Sequence, residues 1–384
     1  MRKKFRIVAI ATVLALTIGL LAGCGGGQSA PPADTGTAAP ADNGTAAPAT
    51  DGQVYNLTLG HHMTDVFHGW QTMMNWVDQM KEESNGRLNI EVFGGGTLAG
   101  ARDAVGMVQT GGMDMTFNTV SLNPALFQYP NLLGAFGEKI TNSMIGTYAI
   151  LQMYKNEPAI SNEFTNANLK CLAIYGMTPS SLAVVGNKVE TDNWKGLTLQ
   201  SVGQNTIKII EAFGATPQGV GTEELYENLS KNVVNGDLHD SALYQETRMY
   251  ELLSYLNTFN FNTGVAFYVM NLDTFNSLPQ DLQDIINNSF DDFSMSCGEA
   301  TNNFYINFIE NEIPKSNCQL YDFSPEMTAI CNDKLKTVIA DPYMEMVKAD
   351  GKYDGDALYA EFEKYVDEGK AKYGSEYDWF KSLH

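Results

Sequence analysis

The first folded stretch of the chain alternates between two hydrophobic periods. Residues 54–60 alternate apolar and polar side chains, which predicts a short strand. From Val66 to Met80 apolar residues recur every three or four positions, the pattern of one helix face. We expect this helix to begin after an N-cap at Thr64 and to end at Asn85-Gly86.

The same alternation continues through two more strands. Residues 88–92 and 113–117 again place apolar side chains at every second position. Between them, Val105 and Val108 mark a short helix that stops at glycines. Strand–helix–strand–helix–strand at this spacing predicts right-handed crossovers and parallel pairing, so we assign the chain to the α/β class.

A second set of elements follows residue 170. The predicted strands span 171–175, 181–185 and 197–200, and the predicted helices span 205–213, 223–231 and a long stretch from 279 to 313. Two α/β lobes, joined by several crossings and one long helix, predict a clamshell.

The N-terminus is typical of an export signal. Arg2, Lys3, Lys4 and Arg6 precede an apolar run over residues 7–21. The run has about 15 residues, and about 20 are needed to span a bilayer. It therefore predicts a signal peptide rather than a membrane-spanning helix.

The apolar run ends in Leu21-Ala22-Gly23-Cys24, which resembles the bacterial lipobox. The alternative is an ordinary signal peptide followed by a chance cysteine. The lipobox predicts that residues 1–23 are removed and that Cys24 carries a diacylglycerol anchor at the extracytoplasmic face of the cell membrane. Residues 24–53 contain no large apolar side chain, so they cannot bury enough surface to fold, and we expect a flexible tether.

Charge and cysteine content narrow the possible partners. The chain holds 24 Lys and Arg against 45 Asp and Glu, a net charge of −21, and such a surface repels nucleic acid. Four cysteines follow the leader, and an exported protein permits disulfides. Buried free thiols and one disulfide bridge both remain open at this point. No CxxC pair occurs, so we expect no zinc site and no cofactor. The four are Cys171, Cys297, Cys318 and Cys331.

Several short segments follow one another in a characteristic order. These are residues 84–98, 111–115, 194–197, 214–217, 224–226, 233–237, 269–271 and 275–279. With these segments the chain resembles, over about residues 54–340, the extracytoplasmic solute receptors of TRAP (tripartite ATP-independent periplasmic) transporters. The resemblance implies a two-lobe periplasmic-binding-protein clamshell that closes on a small organic solute and docks on integral membrane permease subunits. Many members of the family bind organic acids.

On this resemblance we expect lobe I to comprise 54–176 plus 264–305. Lobe II should comprise 177–263 plus 306–384. The sequence contains no GxSxG, HExxH or phosphate-loop motif, and we expect no enzymatic activity. The alternative is a solute receptor of an ATP-driven importer or of a sensor kinase, because the folded part would look similar. Neighbouring genes for a small and a large membrane subunit would favour the TRAP assignment.

The chain departs from the family where an arginine usually grips the solute carboxylate. Gln200 stands at that position, and a second common arginine, near Gly176, is also absent. Beyond the leader the arginines are Arg87, Arg102 and Arg248. Glutamine offers an amide but no charge. We therefore favour a neutral or cationic solute, and keep as the alternative an acid held by Arg248 or by a histidine.

Ligands of α/β sheets lie beyond the carboxyl ends of the strands, which selects His61 and His62 after the first strand and Asn118 at the end of the third. The resemblance adds His239, which stands beside Asp240 where the family usually has an asparagine. A metal site at 61–68 is not expected, because the spacing lacks a helical ligand motif. Trp70 and Tyr244 fit core packing better than solute contact. With Gln200 and Arg248, the candidates are His61, His62, Asn118, His239 and Asp240.

Overall fold

The computed structural model describes residues 52–201, 203–219 and 224–381. The leader, most of the tether and Cys24 lie outside these residues. The strands are Tyr55–Gly60 (β1), Leu88–Phe93 (β2), Met115–Thr119 (β3), Leu169–Val184 (β4), Thr198–Gln200 (β5), Thr216–Gln218 (β6), Gly236–Asp240 (β7), Tyr255–Asn257 (β8), Asn262–Asn271 (β9) and Gln319–Tyr321 (β10).

The helices alternate with these strands along the chain. They are Trp70–Glu83 (α1), Ala104–Gln109 (α2), Leu132–Ala135 (α3), Ser143–Asn156 (α4), Pro158–Asn166 (α5), Gln204–Ala212 (α6), Leu225–Ser230 (α7), Ser241–Glu246 (α8), Leu272–Ser277 (α9), Gln280–Asn288 (α10), Phe290–Asn307 (α11), Pro325–Leu335 (α12), Asp341–Asp350 (α13) and Gly355–Lys381 (α14).

One continuous sheet runs through the folded part in the order β2-β1-β3-β9-β4-β7-β5-β6, with β8 and β10 added beside β4. The β1 strand pairs in parallel with β2 and β3, as predicted, and β5 pairs in parallel with β6 and β7. The long strands β4 and β9 are antiparallel to each other and join the two parallel groups. The protein is thus an α/β two-lobe clamshell. We call the part built on β1–β3 lobe I and the part built on β5–β7 lobe II.

The β4 strand corrects one local prediction. The sequence predicts residues 171–175 and 181–185 as separate strands. They form one strand, and the pairing register with β9 shifts between Gly176 and Pro179. A bulge absorbs the one extra residue there, so the strand continues without ending.

Helix α1 begins later than its hydrophobic pattern predicts. Thr64 is not its N-cap: the helix starts at Trp70, after Gly69. Residues 64–69 form turns instead, because Phe67 and His68 point into the protein while Val66 is exposed. The predicted end is correct, since Asn85 and Gly86 both take the left-handed conformation that ends helices.

The long helix predicted from 279 to 313 is divided. Helix α10 ends at Ser289 and α11 follows directly, continued by a π-helical turn, Phe308–Glu312. The hydroxyl of Ser289 accepts a hydrogen bond from Trp76 Nε1 at 2.9 Å, and the Trp76 ring stacks on Phe293 at 4.8 Å. These contacts fix α11 against α1. Helix α11 also packs on β4 and touches α8 of lobe II, so it does connect the lobes.

The C-terminal helix α14 lies along α4. Tyr148 donates to Glu368 at 2.8 Å, and Lys139 pairs with Glu363 at 2.8 Å. The residue boundaries of the two lobes stay a prediction.

The four described cysteines are buried and free. Of the two alternatives that the sequence left open, the structure therefore has free thiols at these positions. Burial raises the pKa of each thiol, which keeps it protonated and unreactive at neutral pH.

Candidate functional site

Lobe I contributes an aromatic wall, which we define as His61, Phe67, Trp70, Phe117 and Tyr268. The first three follow the carboxyl end of β1, and the others lie on β3 and β9. The His61 ring stacks on Phe117 at 4.6 Å with an interplanar angle of 2°. Phe67 and Trp70 lie 4.9 and 5.6 Å from the same imidazole. The wall is therefore built around one buried histidine.

The carboxyl end of β1 packs closely on Met113 before it enters this wall. A Cβ on Gly60 would lie 2.2 Å from Met113 Sδ, so a larger residue would require the flexible Met113 side chain to move.

His61 is a neutral hydrogen-bond donor without a protein acceptor. The ring is 1% exposed, and burial, followed by the neighbouring His62, lowers the pKa of His61 to about 3. Its Nδ1 accepts the backbone N–H of Met63 at 3.1 Å, which places the proton on Nε2. That Nε2 is buried and has no hydrogen-bond partner. His62 stacks beside it, 5.6 Å from the His61 ring.

His68 connects the loop after β1 to lobe II. Its Nδ1 lies 2.7 Å from Glu246 Oε1 at the end of α8, and its backbone N–H donates to the same oxygen at 3.0 Å. On the other side, Nε2 lies 3.0 Å from the hydroxyl of Thr301 on α11. Sequence reasoning placed His68 only in a rejected metal pattern. Its pairing with Glu246 joins residues 178 positions apart and had no local signal.

Lobe II contributes an ion pair at the end of β7. His239 Nδ1 lies 2.7 Å from Asp240 Oδ2, although the two groups are not aligned as a hydrogen bond. Burial by itself favours a neutral ring, but the charge of Asp240, with those of Asp237 and Glu246, raises the pKa of His239 to about 9. Burial likewise opposes ionisation of Asp240, but His239 holds its pKa below the usual value. At neutral pH the pair is an imidazolium beside a carboxylate.

Asp237 is the residue that sequence reasoning missed. It pairs with Gln200 across β7 and β5 and with Ala183 across β7 and β4, so its side chain shares one face of the sheet with Gln200 and His239. It is fully buried, and no described side chain donates a hydrogen bond to either carboxyl oxygen; the backbone N–H of Leu238 is the donor that approaches the group. Burial, then the charge of Asp240, raises the pKa of Asp237 to about 7, although His239 opposes the shift. An aspartate inside a buried strand, two residues before a histidine, was the signal available in the sequence.

Three other candidates have more ordinary surroundings. Asn118 is fully buried and uses its amide inside lobe I, donating to Ala101 O at 2.7 Å and accepting from Asn123 at 2.9 Å. Tyr244 is a core residue, as expected, and donates to Ser181 O at 2.6 Å. Arg248 has a side chain that is 72% exposed and forms an ion pair with Glu251. The structure therefore does not bring Asn118 or Arg248 to the His239–Asp240 pair.

The described groups near that pair interact as one electrostatic cluster. The charge of His68 acts on Asp240 and on His61, and Glu246 acts on His239. Candidate groups of three or more metal-binding side chains are absent from the described residues.

Comparison with known families decides the assignment. The model of bacterial extracellular solute-binding protein, family 7, matches residues 60–346. The chain belongs to this family. Its predicted likeness to TRAP receptors is confirmed by the solved structures below.

Several structures share the fold at low sequence identity. A TRAP periplasmic solute-binding protein from Bordetella bronchiseptica, with bound (R)- and (S)-mandelate, gives a TM-score of 0.73 at 17% identity, covering 82% of this chain and 99% of the other. A TRAP solute-binding protein from Rhodoferax ferrireducens, with copurified benzoate, gives a TM-score of 0.73 at 19% sequence identity. The match covers 83% of this chain and 99% of the other. A TRAP periplasmic solute-binding protein from Desulfovibrio salexigens, solved as an open complex, gives a TM-score of 0.70 at 21% sequence identity. The match covers 81% of this chain and 95% of the other.

Curated relatives match over shorter stretches. A solute-binding protein of Sulfitobacter sp. is 28% identical over 121 residues, which is 31% of this chain and 37% of that relative. A solute-binding protein of Chromohalobacter salexigens is 24% identical over 206 residues, which is 50% of this chain and 60% of that relative. The chain thus spans less than two thirds of the length of either relative. Across the described part of the chain, no helix has the length and apolar character needed to cross a membrane.

Proposed function

We propose that this family 7 protein is a receptor without catalytic activity that captures a small organic solute between its lobes. The observation that carries the proposal is that His68, in the loop after β1, contacts Glu246 of lobe II and interacts electrostatically with both His61 and Asp240. Buried polar groups lie on both sides of this contact: the unpartnered Nε2 of His61 in lobe I, and His239, Asp240 and the Asp237 carboxyl, which has no side-chain donor, in lobe II. Buried polar groups normally have partners, so these atoms fit a protein that is completed by a ligand.

We further propose that the protein is a lipoprotein that delivers the solute to a TRAP-type permease. The segment ending in Cys24 supports the lipid anchor, and the family and its TRAP-receptor neighbours support delivery to a permease. Replacement Cys24→Ser should release the protein from the membrane fraction or leave it unprocessed. Mature protein that still sediments with membranes would contradict the anchor.

The solute is neutral or cationic in this proposal. The Bordetella bronchiseptica and Rhodoferax ferrireducens proteins were solved with mandelate and benzoate. In this chain, however, Gln200 stands where the resemblance leads us to expect an arginine, and Arg248 forms an ion pair with Glu251 at the surface. An acid would have to rely on His239, whose charge is already matched by Asp240.

A thermal-shift screen of amines, polyols, nucleosides and organic acids tests the receptor function. A solute that binds only the folded state adds RT ln(1 + [L]/Kd) to its stability. Small-angle scattering on the best hit should show a smaller radius of gyration at saturation, because hinge closure brings the lobes together. An unchanged radius with a bound solute would contradict the clamshell mechanism. Co-purification with an ATP-driven importer or a sensor kinase, rather than with permease subunits, would favour the alternative partner.

A further inference from the structure

We propose that the Asp237 carboxylate binds a positively charged group of the solute, so that the solute is an organic amine or a zwitterion. This inference rests on the proposed function, because it requires that the region between the lobes binds a solute. It adds a residue and a ligand class to that function.

The position of Asp237 supports a role in binding. The side chain lies on the sheet face that also carries Gln200 and, two residues along β7, His239. The His239 side chain is 21% exposed and so reaches the edge of this buried face. Asp237 lies one step deeper, with both oxygens shielded from solvent, without a side-chain donor, and with the backbone N–H of Leu238 as its one donor contact among the described groups. A buried carboxylate with so few donors is destabilising, whereas an ammonium would supply both charge and hydrogen bonds.

The surrounding charges favour a cation over an anion. The groups that act on Asp237 are His239 and Asp240, and Asp237 itself acts on the hydroxyl of Tyr244. Of these, His239 is the one cation, and Asp240 lies 2.7 Å from it. An anion would therefore meet a compensated imidazolium and two carboxyl groups. An ammonium would meet a carboxyl group whose charge has no close partner.

Binding of an amine should also release a proton. Asp237 has a pKa of about 7, so at pH 7 about half of the free protein carries a neutral carboxyl there. An ammonium stabilises the ionised form, and the carboxyl proton passes to the buffer. About half a proton should therefore be released per amine bound at pH 7. An anion would instead favour the protonated carboxyl and take up a proton.

Matched probes on common skeletons give the test. Benzylamine, benzyl alcohol and benzoate form one series, and 1,5-diaminopentane, 1,5-pentanediol and glutarate form the other. Each is added to the wild type, to Asp237→Asn and to Asp78→Asn, in which an exposed aspartate of α1 loses the same charge. Thermal shift ranks the probes by how much they stabilise each protein. Calorimetry gives the affinity, and the difference between the heats measured in phosphate and in Tris gives the number of protons released.

We expect an amine to bind the wild type and Asp78→Asn alike, with proton release. In Asp237→Asn its affinity should fall by about 10- to 100-fold, the range for a lost hydrogen bond to a charged group, and the proton release should vanish. A circular dichroism spectrum like that of the wild type shows that this variant is folded. Binding of an acid with equal affinity in wild type and Asp237→Asn would overturn the inference while supporting the receptor function. An amine that binds both equally would also overturn it. No stabilisation by any of the six probes would count against both proposals.

Discussion

Replacing Asp237 by asparagine should stabilise the solute-free protein, and the gain should grow with pH. Burial raises the pKa of Asp237 to about 7 from an ordinary value of 3.8. The folded state therefore holds this proton more tightly than the unfolded state does. Below the unfolded pKa both states are protonated and the group has no effect. As pH rises toward 7 the unfolded state alone ionises, so stability falls.

The size of the effect follows from the shift. Each pKa unit corresponds to 1.36 kcal/mol, so a shift of about three units destabilises the folded state by about 4 kcal/mol once the pH exceeds 7. At pH 5.5 the same relation gives about 2 kcal/mol. Asparagine keeps the shape and cannot ionise. The difference in unfolding free energy between Asp237→Asn and wild type should therefore increase by about 2 kcal/mol from pH 5.5 to pH 8.

Urea unfolding of both proteins at the two pH values, without solute, measures this difference. His239 titrates in both proteins, so most of its contribution cancels, and Asp78→Asn controls for the change in net charge. The cost of burying the asparagine amide does not depend on pH, so it changes the free-energy difference equally at pH 5.5 and at pH 8. A difference that does not change between pH 5.5 and pH 8 would refute the assignment of a raised pKa, and a decrease would mean that Asp237 has a hidden cationic partner.

Three further variants and one thiol reagent test other parts of the protein. Gln200→Arg should lower affinity for the native solute, because it adds a cation beside Asp237. Arg248→Ala should change the affinity less than about twofold, because that side chain is exposed. Loss of solute binding in Arg248→Ala would instead support an acidic solute. Glu246→Gln weakens the buried contact with His68 and should lower the unfolding free energy by about 1.5–3 kcal/mol, as expected for a hydrogen bond to a charged group. An unchanged urea midpoint would show that this contact contributes little to stability. The four described cysteines should react with a thiol reagent only in urea, because burial raises their pKa values; rapid reaction of the native protein would contradict their burial.

The elements of lobe I could be predicted because their signals are local. Alternation over 88–92 and the apolar face from Val66 to Met80 depend on neighbours within a few positions, so β2 and most of α1 follow from the sequence. The order of short family segments likewise identified the fold. Local signals also produced an error: they predicted two strands, 171–175 and 181–185, but pairing with β9 continues β4 through the residues between them. Propensity yields to a strand partner that is far away in the sequence.

The candidate site divides in the same way. The sequence placed His61 after a strand end, where parallel sheets bind ligands, and the family resemblance selected His239 and Asp240 and indicated that Gln200 replaces a guanidinium. Neither could show that His239 is charged or that Asp237 is buried without a side-chain donor. Those properties depend on burial and on distances between β4, β5 and β7, which meet only in the folded sheet. The sequence by itself determined which groups are available to the cleft. The tertiary structure decided their charge and their partners, because desolvation and electrostatic interaction depend on positions in space rather than along the chain.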